Sequence, residues 1–220
     1  MAAACAQAGR DVNAVTLLAV SKTFGPEAVA EALTAGQRAF GENYIQEGVE
    51  KILALRASHP AVALEWHCIG PVQSNKTRLV AAHFDWVQSV DRLKIAQRLS
   101  EQRPPELPPL QVCLQVNVDG GANKSGVAPT ELPPLAAAVA ALPGLKLRGL
   151  MCIPEPAEGF EAQRVVFQQA RALFDDLNAR GLGLDTLSMG MSDDLDAAVA
   201  AGSTMVRVGR AVFGSRPGRT

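Results

Sequence analysis

Three short segments of the 220-residue chain carry residue types that could do chemistry together. The first is TLLAVSKTF, positions 16–24, in which an apolar run ends on Lys22. Lysine is among the side chains least often buried. In a desolvated mouth its pKa falls, and the free amine can add to an aldehyde to form a Schiff base. A snorkelling lysine at a strand end is the plainer reading, and this segment alone favours it.

The second segment is SMGMSDD, positions 188–194. Gly190 permits close backbone approach and Ser192 offers a hydroxyl beside a helix start, a geometry and dipole suited to an anion. Simple helix capping, with Asp193 and Asp194 as charges on the first turn, explains it equally well. The third is VRVGRAVFG, positions 206–214, where Gly209 and Arg210 put bare N–H groups and a cation after an apolar strand. Arg207 alternates inward between Val206 and Val208, which is costly without a partner. A Schiff-base lysine, a phosphate cradle and an inward arginine together are the attachments that pyridoxal 5′-phosphate (PLP) needs. Arginine stays protonated, so Arg207 would meet the pyridine nitrogen as a neutral acceptor. The cofactor would then be held without being tuned for demanding carbanion chemistry.

These residues work together only if the fold brings them to one edge. Strand-like runs fall at 16–22, 39–43, 64–70, 86–90, 111–118, 145–153, 186–190 and 205–209. Helical patterns separate them, at about 26–35, 44–57, 73–82, 92–102, 130–142, 160–180 and 193–201. Pro26 opens the first and Gly36 closes it. Asp91 and Thr130 are expected N-caps. Eight strands alternating with helices predict an α/β chain folded as a single-domain (β/α)8 TIM barrel over residues 1–220, with 1–14 a partial N-terminal helix. A doubly wound sheet competes, but no GxGxxG follows the first strand. In such a barrel the polar groups at C-terminal strand ends face the site. Here those ends carry Lys22, Glu42, Asn43, His67, Gly70, Gln88, Ser89, Asn117, Ser188–Ser192 and Arg207–Arg210. His67 and Trp66 are expected to be packing, and Lys76 and Lys124 solvated charge.

Bulk properties narrow the classes. Hydrophobic residues make up 48% and charged residues 20%, with net charge −1, so nothing favours nucleic acid or an anionic membrane. No window suggests a membrane span and the N-terminus is a poor signal peptide. Cys5, Cys68, Cys113 and Cys152 are widely spaced and the three histidines scattered, so a cytoplasmic protein without disulfides or a metal is expected.

The segments AVSKT (19–23), FGENYIQE (40–47), WHCIGPVQSNK (66–76), KSGV (124–127), LRGLMCIP (147–154), LSMGMSDD (187–194) and GSTMVRVGRAVFG (202–214) closely resemble the YggS/PROSC family, the pyridoxal phosphate homeostasis proteins. The resemblance runs from about Val15 to Gly214. It implies a barrel resembling the N-terminal domain of alanine racemase, with PLP covalent on Lys22 as an aldimine. By position it implies Asn43 as a cofactor-site residue and Ser192, Gly209 and Arg210 in the phosphate loops. Arg207 matches the arginine that faces the ring nitrogen. Position 210 departs from the small hydroxyl residue more usual in the family, which leaves the backbone contact there.

The function expected is intracellular PLP homeostasis: holding, buffering or delivering PLP, with PLP-dependent apoenzymes as recipients and without catalytic turnover. The alternative is a PLP-dependent amino-acid racemase. A two-base racemase needs a second acid/base, typically tyrosine, opposite the lysine. The one tyrosine, Tyr44, sits at a helix start. A lysine aldolase barrel would leave Arg207 without a role. A monomer is expected, because no second domain supplies the racemase's dimer surface.

Overall fold

A computed structural model describes residues 1–121 and 125–215. Lys124, read above as a solvated charge, lies outside them. Eight parallel strands close into a barrel in chain order: β1 (Thr16–Val20), β2 (Ala39–Glu42), β3 (Glu65–Cys68), β4 (Trp86–Val90), β5 (Leu110–Gln115), β6 (Leu145–Met151), β7 (Thr186–Ser188) and β8 (Met205–Val208). β1 and β8 complete the ring, Leu18 opposite Arg207 and Ala19 opposite Val208. The first and third candidate segments, nearly 190 positions apart in sequence, are therefore adjacent strands.

The strand-connecting helices are α2 (Pro26–Thr34), α3 (Ile45–Ser58), α4 (Thr77–His83), α5 (Leu93–Gln102), α6 (Leu132–Ala140), α7 (Phe160–Ala179) and α8 (Leu195–Ala200). Short helices α1 (Ala2–Gln7) and α9 (Arg210–Phe213) flank the barrel sequence. Each long helix turns one stripe inward; on α7 that stripe is Phe167, Ala170, Phe174 and Leu177, spaced by three and four. These stripes and the outward strand residues form the main core between helices and barrel wall. Arg10, beyond α1, donates from Nη1 to the carbonyls of Val199 and Ser203 at 2.8 and 2.6 Å, a cation on the C-terminal end of α8.

Residues of alternate parity fill the barrel. Leu18, Val20, Ala39, Ile69 and Met205 form one apolar layer, and Trp86, Cys113 and Met151 another. The strands end earlier than the sequence predicts at seven of eight positions, β1 at Val20 rather than Lys22 and β7 at Ser188 rather than Gly190. The overrun residues are the barrel mouth, where the chain leaves the ladder to build loops. The N-caps also differ. Arg92 and Glu131 occupy those positions, and neither Asp91 nor Thr130 caps. Asp91 instead pairs with the Arg92 guanidinium at 2.9 Å, and Pro133 and Pro134 within the first turn of α6 have no N–H to cap.

Candidate functional site: a cation-lined cavity at the barrel mouth

At the C-terminal end of the strands lies a cavity of about 530 Å³, within the range of small-molecule sites. Lys22, Asn43, Ser192, Arg207, Gly209 and Arg210, the six residues implied for the cofactor, line it, whereas the strand-end residues Glu42, His67, Gln88, Ser89 and Asn117 are not part of its lining. Lys22 continues the inward series Leu18, Val20, two residues beyond β1. Val20, Ile69, Ile153 and Phe24 supply apolar wall that the sequence did not assign to a site, and Met191, expected to fill space near the ligand or core, joins them. Phe24 stacks on Phe213 of α9 at 5.1 Å between ring centroids, joining the loops after β1 and β8 on one side of the cavity. Asp193 is the acid on the rim.

Arg207 is buried, 4% exposed. Its Nη1 donates to Ser188 Oγ at 2.8 Å and its Nη2 to the Cys152 carbonyl at 2.9 Å. Neither partner is charged, and burial pushes the guanidinium below its usual pKa. A guanidinium cannot lose its proton in a protein, so the cavity holds a fixed cation. Its backbone N–H donates to the Gly190 carbonyl at 2.9 Å. Gly190 has φ 98°, and a Cβ there would stand 2.5 Å from that of Ala198. Glycine is therefore required where this loop turns over the cavity.

The loop carrying Lys22 is held from behind. Lys51 of α3, buried, donates to Glu42 Oε1 at 2.6 Å, to Glu47 Oε1 at 3.1 Å and to the Ser21 carbonyl at 2.8 Å. Ser21 Oγ donates to Glu42 Oε1 at 2.5 Å, and Glu47 Oε1 accepts from the Thr23 N–H at 2.7 Å. Burial pushes the Glu42 carboxyl up, against the pull of the Lys51 ammonium. Both chain neighbours of Lys22 are thus clamped. Thr23 takes φ 70°, the one positive φ at a non-glycine position among the described residues. A β-branched residue there costs on the order of 1 to 3 kcal/mol, and such strain clusters at functional sites.

Asn43 reaches the cavity because Gly70 lies against its backbone; a Cβ at Gly70 would overlap the Asn43 carbonyl. Asn43 Oδ1 is a buried acceptor with no donor among the described residues. Tyr44, the α3 N-cap, is 52% exposed and outside the cavity lining. His67 is fully buried but more than packing: Gln88 and Glu65 hold its two ring nitrogens. Met189 is core, while Met191 lines the cavity.

The family description "alanine racemase, N-terminal domain" matches residues 2–217. The chain belongs to that family. Among its relatives, the pyridoxal phosphate homeostasis protein of Pseudomonas aeruginosa is 62% identical over 209 residues, 95% of this chain and 88% of the relative. The protein of the same name from Escherichia coli K12 is 56% identical over 216 residues, 98% and 92% of the two chains. Among solved structures of this fold, PipY of Synechococcus elongatus PCC7942 with PLP bound is 36% identical with a TM-score of 0.83, covering 96% of this chain and 97% of that one. The closed parallel barrel expected for the family is the fold found here. Among the described residues no helix is long and apolar enough to cross a membrane, and no group of three or more His, Cys, Asp or Glu could hold a metal ion.

Proposed function

We propose that this protein binds pyridoxal 5′-phosphate in the mouth cavity and serves intracellular PLP homeostasis by holding, buffering or delivering it. The observation that carries the reading is the convergence of Lys22, Arg207 and the Ser192 and Gly209–Arg210 loops on one cavity of about 530 Å³. The residues present fit the group. Asn43 Oδ1 is a buried acceptor awaiting a donor. Gly209 keeps the backbone bare beside Val20, whose carbonyl a Cβ would approach at 3.2 Å. Both hydrogen-bond partners of the Arg207 guanidinium are neutral, so no carboxylate is hydrogen-bonded to it, although Asp194 acts on it electrostatically. A relative solved with PLP bound supports the same ligand.

Each residue has a separable task. Lys22 Nζ would hold the aldehyde carbon covalently, with loss of water. Ser192 Oγ and the N–H groups at Gly209 and Arg210 bind the phosphate, with the Arg210 cation nearby. Arg207 would face the ring nitrogen as a donor. Ile69, Ile153 and Phe24 exclude water from the ring. When bound, PLP supplies an electron sink, and an unprotonated ring facing arginine is a weak one. That weakness, and the placement of Tyr44 away from the cavity, favour a carrier over a racemase: no tyrosine stands opposite Lys22 to move a proton. The protein is proposed to act as a cytoplasmic monomer that yields PLP to apoenzymes.

The test is a paired assay on purified protein. PLP titration should show saturable uptake, loaded protein should reactivate a PLP-dependent apoenzyme, and alanine should not racemise at enzyme-like rates. Saturable uptake failing to appear would remove the reading, and rapid racemisation would replace carriage with catalysis.

A further inference from the structure

One hydrogen-bond chain runs through the barrel interior from the mouth to the opposite end. Arg207 Nη1 donates to Ser188 Oγ at 2.8 Å, and Ser188 Oγ lies 2.6 Å from Gln88 Oε1. Gln88 Nε2 is 2.9 Å from His67 Nδ1, and His67 Nε2 is 2.8 Å from Glu65 Oε1. Ser188, Gln88 and His67 are wholly buried, while the Glu65 side chain, at the N-terminal start of β3, is 42% exposed. Four strands, β8, β7, β4 and β3, contribute.

We propose that Glu65, His67 and Gln88 are positioning residues for Arg207, acting through Ser188 as a one-way chain of donors anchored on a carboxylate at the barrel base. The direction follows from the donor inventory. A guanidinium only donates, so Ser188 accepts from Arg207 and spends its own proton on Gln88 Oε1. That orients the Gln88 amide with its NH2 toward His67, where the second proton meets Met205 Sδ at 3.1 Å. His67 Nδ1 must then accept, which makes the ring the neutral Nε2–H tautomer, and Nε2–H donates to the Glu65 carboxylate. Burial favours the same neutral ring. Trp86 stacks on it at 5.0 Å between centroids and prevents rotation. No link can reverse alone, because reversal would turn the Ser188 hydroxyl proton toward the Arg207 donor. Buried chains of this kind strengthen cooperatively and specify one arrangement. Without the anchor the Ser188 hydroxyl is free to turn its lone pair away, and the guanidinium keeps the Cys152 carbonyl as its one fixed partner.

The consequence for the ligand rests on the PLP reading above; the ordering of Arg207 does not. The test therefore has two arms, run on the whole protein with Gln88→Met, Glu65→Ala and Glu65→Gln. Without PLP, NMR of the Arg207 guanidinium N–H groups reads its rotation. With PLP, titration reads affinity and the absorption spectrum of the bound cofactor. Gln88→Met should broaden the Arg207 signals and weaken PLP binding roughly fivefold to tenfold, about the worth of one ordinary hydrogen bond, with the bound spectrum displaced. Glu65→Ala should act in the same direction, whereas Glu65→Gln, which keeps an acceptor for His67 Nε2–H, should behave as the parent. Arg207 signals and PLP affinity within twofold of the parent in Gln88→Met would overturn the proposal. If that variant does not fold, equal behaviour of Glu65→Ala and Glu65→Gln overturns it instead. If the parent itself takes up no PLP, the cofactor reading fails, and the Arg207 signals still decide the chain.

Discussion

Lys51 Nζ lies 2.8 Å from the carbonyl oxygen of Ser21, the peptide group that leads directly into Lys22. A buried lysine thus fixes the backbone that presents Lys22, which is half-buried. The first is neutralised by Glu42 and Glu47, which also hold Ser21 and Thr23. The second lines the cavity, and the strained Thr23 is tolerated because its N–H is tied down.

Breaking that clamp should be costly. Lys51→Met leaves the Glu42 carboxylate buried without its cation and should lower stability by about 3 to 5 kcal/mol. Pairing it with Glu42→Gln should recover part of the loss, since no unpaired charge then remains. Urea unfolding of the two variants checks this; a loss below about 1 kcal/mol in the single variant would mean the cluster does not hold the loop.

Gly70→Ala should displace Asn43. The added methyl would overlap the Asn43 carbonyl, while the Gly70 carbonyl is itself held by Ser89 Oγ at 2.6 Å. Overpacking of this kind costs typically about 1 to 3 kcal/mol. Thermal unfolding should show that loss together with weaker PLP uptake, whereas Gly36→Ala, where nothing lies within 4 Å of the new methyl, should leave PLP uptake alone.

Acid should find His67. Its burial holds the ring below the usual imidazole pKa of 6.5, so between that lowered value and 6.5 the unfolded chain binds more protons than the folded one. Stability should therefore fall as pH drops below about 6.5. His67→Gln should flatten that slope between pH 5 and 6.5 in unfolding curves taken across the range. Glu65 is lowered as well: its hydrogen bond with His67 holds the carboxyl below 4.5, so its share is lost only at lower pH.

The cysteines should be inert. Burial pushes the thiols of Cys68, Cys113 and Cys152 up to about 12, and the thiolate is the reactive form. A thiol-reactive chromogen should label none of the three in the folded protein and all of them in denaturant.

Much of this was legible in the sequence because period and punctuation both report burial. Runs such as QVCLQV mark covered strands, and the polar residues ending them, Lys22, Asn43, Ser192 and Arg207, reach one cavity because barrel closure sets β1 beside β8. Strand ends were harder: nothing in Ser21–Lys22 or Met189–Gly190 marks the point where the ladder stops, at Val20 and at Ser188. The Lys51 clamp was missed because Glu47 and Lys51 look like an ordinary exposed i,i+4 pair. Only the neighbours Val49, Ile52 and Leu55 hinted that Lys51 lies on the buried face. His67 reads as packing in the sequence because its partner Gln88 lies on another strand whose register no local pattern reveals; Glu65, two residues away on the same strand face, was the available signal.

The central claim is that Lys22 holds the cofactor covalently, and borohydride reduction of PLP-loaded protein followed by peptide mass analysis tests it most directly. The account predicts one modified peptide carrying the reduced pyridoxyl phosphate on Lys22, and its absence in Lys22→Ala. Adduct on another lysine, or none at all in protein saturated with PLP, would contradict it.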